Sequence, residues 1–299
     1  MVQGEIDGEP FLVTLPVLWG SRASFSASPS GRLRVWPPRC QKAGLAVQMA
    51  LAAWGVPPGG ELVIQSALPV GKGMASSTAD MVAAVRAAAA YYGVTVRARD
   101  LARWASTVEP SDGIMYPFVA AFNPVAGRLL ERLGPVPRAL VVGAIGSGRV
   151  NTAHHLRTRR PYSPAHQARL KDALSCVRRG LFHRDVAALG EAGLISAEVQ
   201  YERTGDAALG RLIEAAHELG VGVMVGHTGT VRGWLVPRHV PPSLLHRLEQ
   251  RLRMLDLGPC YRLEIGGVPQ DSLSGRGAAD VPLGAGGALL AVEGRQRHV

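Results

Sequence analysis

A glycine- and hydroxyl-rich segment between residues 69 and 79 is the part of the chain whose residue types best suit chemistry. It reads Pro-Val-Gly-Lys-Gly-Met-Ala-Ser-Ser-Thr-Ala. Gly71 and Gly73 let the backbone turn tightly and approach an anion without a Cβ in the way. The three hydroxyl residues 76–78 come where a helix should start, and there free N–H groups and the helix dipole attract negative charge. The segment predicts a site for nucleotide phosphates and their metal ion.

The flanking residues predict the elements that would position this segment. Residues 61–68 alternate and carry β-branched side chains, as in a strand, whereas residues 80–92 are rich in Ala, Met and Val, as in a buried helix. An ordinary strand-to-helix turn with a serine N-cap has the same pattern and stays open as an alternative. A Walker loop is excluded, because Lys72 is followed by Gly73 rather than by Ser or Thr.

Two carboxylates are concentrated in a second segment, Glu109-Pro110-Ser111-Asp112. Enzymes that phosphorylate alcohols need acidic ligands for magnesium, and often a carboxylate that orients or deprotonates the hydroxyl. Glu109 is therefore the candidate metal ligand and Asp112 the candidate catalytic base. The alternative is a plain Pro-Ser-Asp-Gly turn, in which Asp112 caps its own backbone and Glu109 is merely exposed.

A third segment of small residues follows a predicted buried strand at residues 220–225. The candidate substrate- or phosphoryl-contacting residues in it are His227, Thr228, Gly229 and Thr230. Small residues and two hydroxyls suit close approach to a phosphate, but they equally suit a simple hairpin, and a single histidine is more often structural than catalytic.

The pattern Pro-x-Gly-x-Gly-x-x-Ser-Ser-x-Ala at 69–79 resembles the second motif of the GHMP kinases, although Met74 and Ala75 replace the usual leucine and glycine. This resemblance implies a loop that wraps the phosphates of ATP and a helix-start serine, here Ser77, that binds Mg²⁺ together with Glu109. The implied ATP-binding residues are Pro69, Val70, Gly71, Lys72, Gly73, Met74, Ala75, Ser76, Ser77 and Thr78. The side chain of Lys72 either adds positive charge to the site or faces solvent.

Further matches are similar to one branch of the family, the PduX-type L-threonine kinases. They are Glu-Pro-Ser-Asp at 109–112, Gly-His-Thr-Gly-Thr-Val at 226–231, the helical residues 195–200 and the segment 8–17. The branch implies phosphorylation of L-threonine for the aminopropanol linker of cobalamin. The branch usually begins with a Cys-Pro-Gly-Thr-Cys-Gly-Glu-like segment, and this chain starts inside it, so we expect either a start farther upstream or impaired activity. The chain also departs from the branch at Leu18-Trp19, where an acidic residue is usual, and within 144–152, which lacks the usual aspartates.

The order of predicted elements, with strands first, helices grouped and a returning hairpin, indicates an α+β fold. The resemblance implies the two-lobed GHMP kinase fold, with an N-terminal lobe of ribosomal-protein-like α+β type and a ferredoxin-like C-terminal lobe. We expect an N-terminal ATP-binding domain over residues 1–150, a C-terminal domain over 151–265, and a disordered tail over 266–299, which is rich in Gly, Ser and Ala.

Composition limits the remaining classes of function. The 299 residues carry a net charge of +10, but the arginines are scattered and aromatics make up only 5%, so we expect a basic surface rather than nucleic-acid binding. No apolar run reaches the roughly 18 residues of a membrane helix, and the N-terminus is acidic, so we expect no membrane partner and a cytoplasmic protein. Three widely spaced cysteines argue against disulfides and zinc. A homodimer is left open.

These observations predict an ATP- and Mg²⁺-dependent kinase of a small hydroxyl compound, with L-threonine as the first candidate. The alternatives within enzymes are a kinase of homoserine or of an isoprenoid alcohol. Outside enzymes, they are a nucleic-acid-binding module or a sensor that binds a metabolite on the same scaffold without turning it over.

Overall fold

The computed structural model describes residues 1–147, 161–226 and 230–266, and this part of the chain forms three sheets and seven α-helices. The strands are β1 (Val2–Ile6), β2 (Glu9–Val13), β3 (Ser21–Ala27), β4 (Leu33–Trp36), β5 (Gly60–Ser66), β6 (Val119–Asn123), β7 (Arg128–Gly134), β8 (Ala139–Ile145), β9 (Gly222–Val225), β10 (Val231–Pro237) and β11 (Cys260–Ile265). The helices are α1 (Gln41–Trp54), α2 (Ser76–Tyr91), α3 (Ala98–Val108), α4 (Pro164–His183), α5 (Val186–Thr204), α6 (Ala207–Leu219) and α7 (Pro242–Leu255).

The first sheet has the strand order β3-β5-β4 and packs against helices α1 and α2. Strand β5 alternates strictly, with Leu62 and Ile64 buried and their neighbours exposed. This period of two lets one face of the strand meet the helices while the other faces solvent. Helix α2 is buried along most of its length, and its alanines allow close approach to β3 and α1. The first sheet and these helices hold the 69–79 loop, which connects β5 to α2.

The second sheet, β1-β2-β6-β7, is antiparallel and joins the N-terminal half of the chain to helices α4 and α5. The backbone N–H of Gln3 donates a hydrogen bond to Ser196 Oγ at 3.2 Å. A Cβ at Gly4 would lie 2.3 Å from Leu170 Cδ1, so the glycine lets β1 pack directly on the Leu170 side chain of α4. The first strands of the chain are therefore held by its later helices.

The third sheet has the order β11-β8-β10-β9, and all of its pairs are antiparallel. Its strands are connected as β8, helices, β9, β10, α7 and β11, which is the ferredoxin-like βαββαβ arrangement. All seven residues of β8 are buried, as expected for a central strand covered on both faces. This arrangement, together with the mixed α and β content, confirms the predicted α+β fold.

The predicted domain border at residue 150 lies outside the described residues, as does the predicted tail from residue 267 onward. Strand β8, which precedes that border, pairs with β10 and β11. We propose that the C-terminal domain begins before β8, in the turn that follows Gly134. None of the described helices is long and apolar enough to cross a membrane.

Candidate active site

The 69–79 loop adopts a backbone conformation that leaves N–H groups free at the start of α2. Gly71, Gly73 and Ala75 all have left-handed backbone angles, with φ of 72°, 79° and 56°. Ala75 is the N-cap residue, and no side chain caps the helix. The first intrahelical bond runs from Ala79 N to Ala75 O at 2.9 Å, so the N–H groups of residues 76–78 have no partner within the helix. The serine N-cap alternative does not describe this loop, and the geometry suits an anion.

A cleft of about 440 Å³, here called the loop cleft, opens beside the loop. It is lined by Arg39, Cys40, Lys42, Ala43, Val70, Gly71, Gly73, Met74, Ala75, Ser76, Ser77, Thr78, Asp80, Glu109, Pro110 and Asp112. Eight of the ten predicted ATP-binding residues line it, and so do both predicted carboxylates. Pro69 and Lys72 do not. The structure therefore brings the first two predicted segments to one cleft, although they are about 30 residues apart in sequence.

Lys72 contacts the third sheet from its place in the loop. Its Nζ donates hydrogen bonds to the carbonyl oxygens of Gly146 at 2.6 Å and Ser147 at 2.9 Å, just after β8. These contacts connect the loop to the C-terminal half of the chain. The Lys72 side chain therefore links the loop to the residues that follow β8.

Glu109 follows helix α3 and faces the loop cleft, with only 15% of its side chain exposed. Lys42 Nζ, at the start of α1, lies 2.5 Å from Glu109 Oε2 and forms an ion pair with it. The pair places a carboxylate and an ammonium group in the lining of the loop cleft, which the first residues of α2 also line. Glu109 is therefore not the exposed side chain of a plain turn.

Asp112 is buried, with 6% of the residue exposed. Its Oδ1 accepts a hydrogen bond from Thr14 Oγ1 at 2.9 Å, and its backbone N–H donates to Thr78 Oγ1 at 3.3 Å. The first bond orients the carboxylate, and the second attaches the carboxylate turn to the first turn of α2. Because its side chain is held by Thr14, Asp112 does not cap its own backbone as the turn alternative requires.

A second cavity of about 200 Å³, here called the apolar cavity, adjoins the loop cleft. The two share Gly73, Met74, Ala75 and Asp112. The other residues around the apolar cavity are Met1, Leu12, Thr14, Leu15, Pro16, Val17, Trp19, Gly20, Ser21, Leu68, Ala79, Val82, Arg86, Ile114, Val141, Met224, Val225, Gly226, Val231 and Leu263. Among the described residues of this lining, the polar aliphatic side chains are those of Thr14, Ser21, Arg86 and Asp112. Asp112 thus stands where a small molecule in the apolar cavity would meet a phosphate in the loop cleft.

Gly226, at the start of the third predicted segment, lies against the loop. A Cβ at Gly226 would be 2.9 Å from the carbonyl oxygen of Gly73, so a glycine is needed for this approach. Thr230 donates through Oγ1 to Gly146 O at 3.1 Å and accepts from Gly146 N at its carbonyl. His227, Thr228 and Gly229 lie outside the described residues. The position of Gly226 nevertheless brings the start of this segment to the loop.

A buried carboxylate that the sequence analysis did not single out, Asp80, lies under the loop cleft. Its Oδ1 accepts a hydrogen bond from Ser21 Oγ at 2.5 Å, and Cys40 Sγ lies 3.7 Å from Oδ2. Burial raises the pKa of the Asp80 carboxyl above its ordinary value, although hydrogen bonds from Ser21, Cys40 and Ser66 oppose the rise. The cluster ties α2 to β3 and to the residue just before α1.

Replacing Asp80 with asparagine should change how stability depends on pH. A carboxyl whose pKa is raised by folding contributes stability below its unfolded pKa of about 3.9, and that contribution is lost as the pH rises through the folded pKa. The D80N variant cannot lose it. We therefore expect the difference in the free energy of unfolding, D80N minus wild type, to increase from pH 4 to pH 8. Urea titrations at each pH would measure it. Asp172, exposed on α4, supplies the control D172N; parallel pH curves for D80N and the wild type would contradict the assignment.

Comparison with known proteins shows which proteins share this architecture. Residues 41–122 match the GHMP kinases N terminal domain. The structure superposes on a homoserine kinase from Cytophaga hutchinsonii with a TM-score of 0.65 and 15% sequence identity, covering 86% of this chain and 90% of the other. The protein has the GHMP kinase fold. The resemblance inferred from the 69–79 motif is thereby confirmed, and the motif lies inside the matched domain.

Two curated proteins are more similar to this chain in sequence. An L-threonine kinase from Salmonella typhimurium is 29% identical over 250 residues, which are 80% of this chain and 80% of that protein. An L-threonine kinase from Citrobacter freundii is 28% identical over 247 residues, covering 80% of this chain and 83% of that protein. These similarities confirm the predicted resemblance to the L-threonine kinase branch of the GHMP kinases.

Sequence reasoning missed four residues of this candidate site: Thr14, Lys42, Asp80 and Arg86. Thr14 lies in the segment 8–17, which drew attention only for its similarity to the L-threonine kinases, and Lys42 lies in a segment without a motif. Both enter the site only through folding. Arg86 carries a signal in the sequence, because it is the only charged residue between Asp80 and Arg97. A single charge within an apolar helix indicates a buried functional or structural role.

Proposed function

We propose that this protein transfers the γ-phosphoryl group of ATP to the side-chain hydroxyl of L-threonine, giving O-phospho-L-threonine and ADP. The observation that carries the proposal is the position of Asp112 on the wall shared by the loop cleft and the apolar cavity. The similarity to two L-threonine kinases supports threonine as the acceptor. We propose further that its product supplies the aminopropanol linker of cobalamin and that the reaction takes place in the cytoplasm.

The loop would hold the triphosphate through the free N–H groups of residues 76–78 at the positive end of α2. Lys42 adds a cation to the same cleft wall. The acceptor would occupy the apolar cavity with its hydroxyl at Asp112, which takes the hydroxyl proton as the oxygen bonds to the γ-phosphorus. The bond from that phosphorus to the β–γ bridging oxygen breaks, and ADP leaves with the electron pair. Catalysis in this scheme rests on positioning and charge stabilisation.

Residues on the loop cleft also fit a magnesium ion. Mg²⁺ is commonly held by one or two carboxylates together with substrate phosphates, rather than by an all-protein cage. Within the described residues no group of three or more His, Cys, Asp or Glu side chains could hold a metal. The Ser77 hydroxyl and the Glu109 carboxylate match the sparser set, and both line the cleft. When bound there, the ion would neutralise charge on the phosphates.

Removing either of these two oxygen ligands should weaken the response to magnesium. We expect S77A and E109Q each to raise the Mg²⁺ concentration for half-maximal activity by at least about 10-fold, by analogy with other changes at metal sites. Initial rates over a range of free Mg²⁺ concentrations at saturating ATP would measure this half-maximal concentration. The matched control is E131Q, since Glu131 pairs with Arg178 on the surface of β7. If both cleft variants respond to Mg²⁺ as the wild type does, the ligand assignment is wrong.

Release of ADP in a coupled assay tests the proposed reaction. L-Threonine, L-serine, L-homoserine and mevalonate should be compared at equal concentrations, because the fold also occurs in a homoserine kinase. We expect the highest kcat/KM with L-threonine. Turnover of homoserine alone would support the nearest alternative, and a lack of ADP release with every compound would exclude the proposal.

A further inference from the structure

Arg86 has the only positively charged side chain among the described residues that line the apolar cavity. It lies in the third turn of α2, where its neighbours on both sides, Met81 to Val85 and Ala87 to Ala89, are buried apolar residues. The helix therefore directs a charged group towards a cavity whose other walls are almost entirely apolar. Such a placement is unfavourable unless the charge has a partner.

The contacts of Arg86 leave most of its donors available. One Nη2–H bonds the carbonyl oxygen of Met115 at 3.3 Å. In the part of the chain that the structure describes, Arg86 forms no ion pair with an acidic side chain, and burial lowers the pKa of its guanidinium. A guanidinium has five N–H donors in a planar fork that matches the two oxygens of a carboxylate. Binding an anionic group from a ligand would offset the loss of hydration.

We infer that Arg86 binds the carboxylate of the acceptor substrate, which makes it the residue that selects hydroxy acids over neutral alcohols and amino alcohols. This inference rests on the proposed function. Arg86 and Asp112 line one cavity and carry opposite charges. A short acceptor with a carboxylate at one end and a hydroxyl near the other would engage both, and its hydroxyl would be directed towards the loop cleft.

The apolar lining gives the arrangement its selectivity. Val82, Met74 and Leu68 are among the walls, and none of them can hydrogen-bond an acceptor's polar groups through its side chain. Among the described side chains of the lining, Arg86 alone could therefore form an ion pair with a carboxylate in the cavity. A neutral acceptor would leave the guanidinium without a partner, a penalty that discriminates strongly between substrates.

The test compares L-threonine with L-threoninamide, in which a neutral amide replaces the carboxylate. The variants are R86M, which removes the charge, R86K, which keeps it without the fork, and the control R99M, at an exposed arginine on α3. We expect R86M to lower kcat/KM for L-threonine by about 10- to 100-fold while changing that for L-threoninamide by less than about 3-fold. R86K should restore part of the loss, and R99M should match the wild type.

Binding measured by calorimetry in the presence of a non-hydrolysable ATP analogue separates this inference from the proposed function. If the wild type binds L-threonine more tightly than the amide, and R86M loses that preference, the carboxylate role holds even when no turnover occurs. An unchanged preference in folded R86M and R86K, or no binding of L-threonine by the wild type, would overturn it. Thermal unfolding of each variant establishes that it is folded.

Discussion

Replacing Asp112 with asparagine is expected to lower kcat by about 10²- to 10⁴-fold, the usual contribution of a positioned general base. The asparagine has nearly the same shape, and its Oδ1 can still accept the hydrogen bond from Thr14 Oγ1. The backbone bond from residue 112 to Thr78 is unaffected. The variant should therefore fold and bind ATP as the wild type does, but it cannot take up the hydroxyl proton.

Steady-state rates with ATP and L-threonine measure this effect, and the KM for ATP should stay near the wild-type value. A loss confined to kcat indicates an interaction made in the transition state. D172N again serves as the control, because Asp172 is exposed on α4, away from both cavities. A D112N enzyme with kcat close to wild type would show that Asp112 does not act as the base.

Replacing Gly193 with alanine is expected to destabilise the protein by about 1–3 kcal/mol. A Cβ at this position in α5 would lie 1.9 Å from the carbonyl oxygen of Val223 in β9. The obstacle is backbone, so helix and sheet must separate for the methyl group to fit. Alanine favours a helix over glycine by about 1 kcal/mol, and the packing conflict therefore has to exceed that gain.

Urea unfolding measures the stability change, with G266A as the matched control. A Cβ at Gly266, just after β11, would meet only Arg138 Cγ at an ordinary 3.8 Å. G193A should also lower activity, because β9 leads to Gly226 beside the loop. A G193A protein as stable as the wild type would mean that α5 and β9 do not pack as closely as described.

Strongly patterned elements could be predicted from the sequence with bounds close to those observed. The strand predicted at 61–68 corresponds to β5, which spans Gly60–Ser66, and the strand predicted at 220–225 corresponds to β9, which spans Gly222–Val225. Strands β6 and β7 were not predicted. Strand β6 reads Val-Ala-Ala-Phe-Asn and is fully buried, so it has neither alternation nor many β-branched residues. Strand β7 carries charged residues, and only pairing with β6 makes it a strand.

Glycine and hydroxyl spacing at 69–79 could indicate a phosphate loop because that function depends on local backbone freedom. The same spacing could not decide between a phosphate site and a capped turn. That decision needed the φ angle of Ala75 and the uncapped start of α2, since both depend on how the loop packs. The carboxylate turn is similar, because the burial of Asp112 depends on Thr14, almost 100 residues earlier.

The sequence by itself determined the α+β class, the family of the phosphate motif and the identity of its candidate acidic groups, because these follow from local patterns of residue type. Only the tertiary structure decided that Asp112 lines both the loop cleft and the apolar cavity and that Arg86 lines the apolar cavity. It also decided that Lys72 links the loop to the residues that follow β8. Each of these depends on burial and on contacts between segments far apart in the chain. Such contacts are set by packing, which no local pattern specifies.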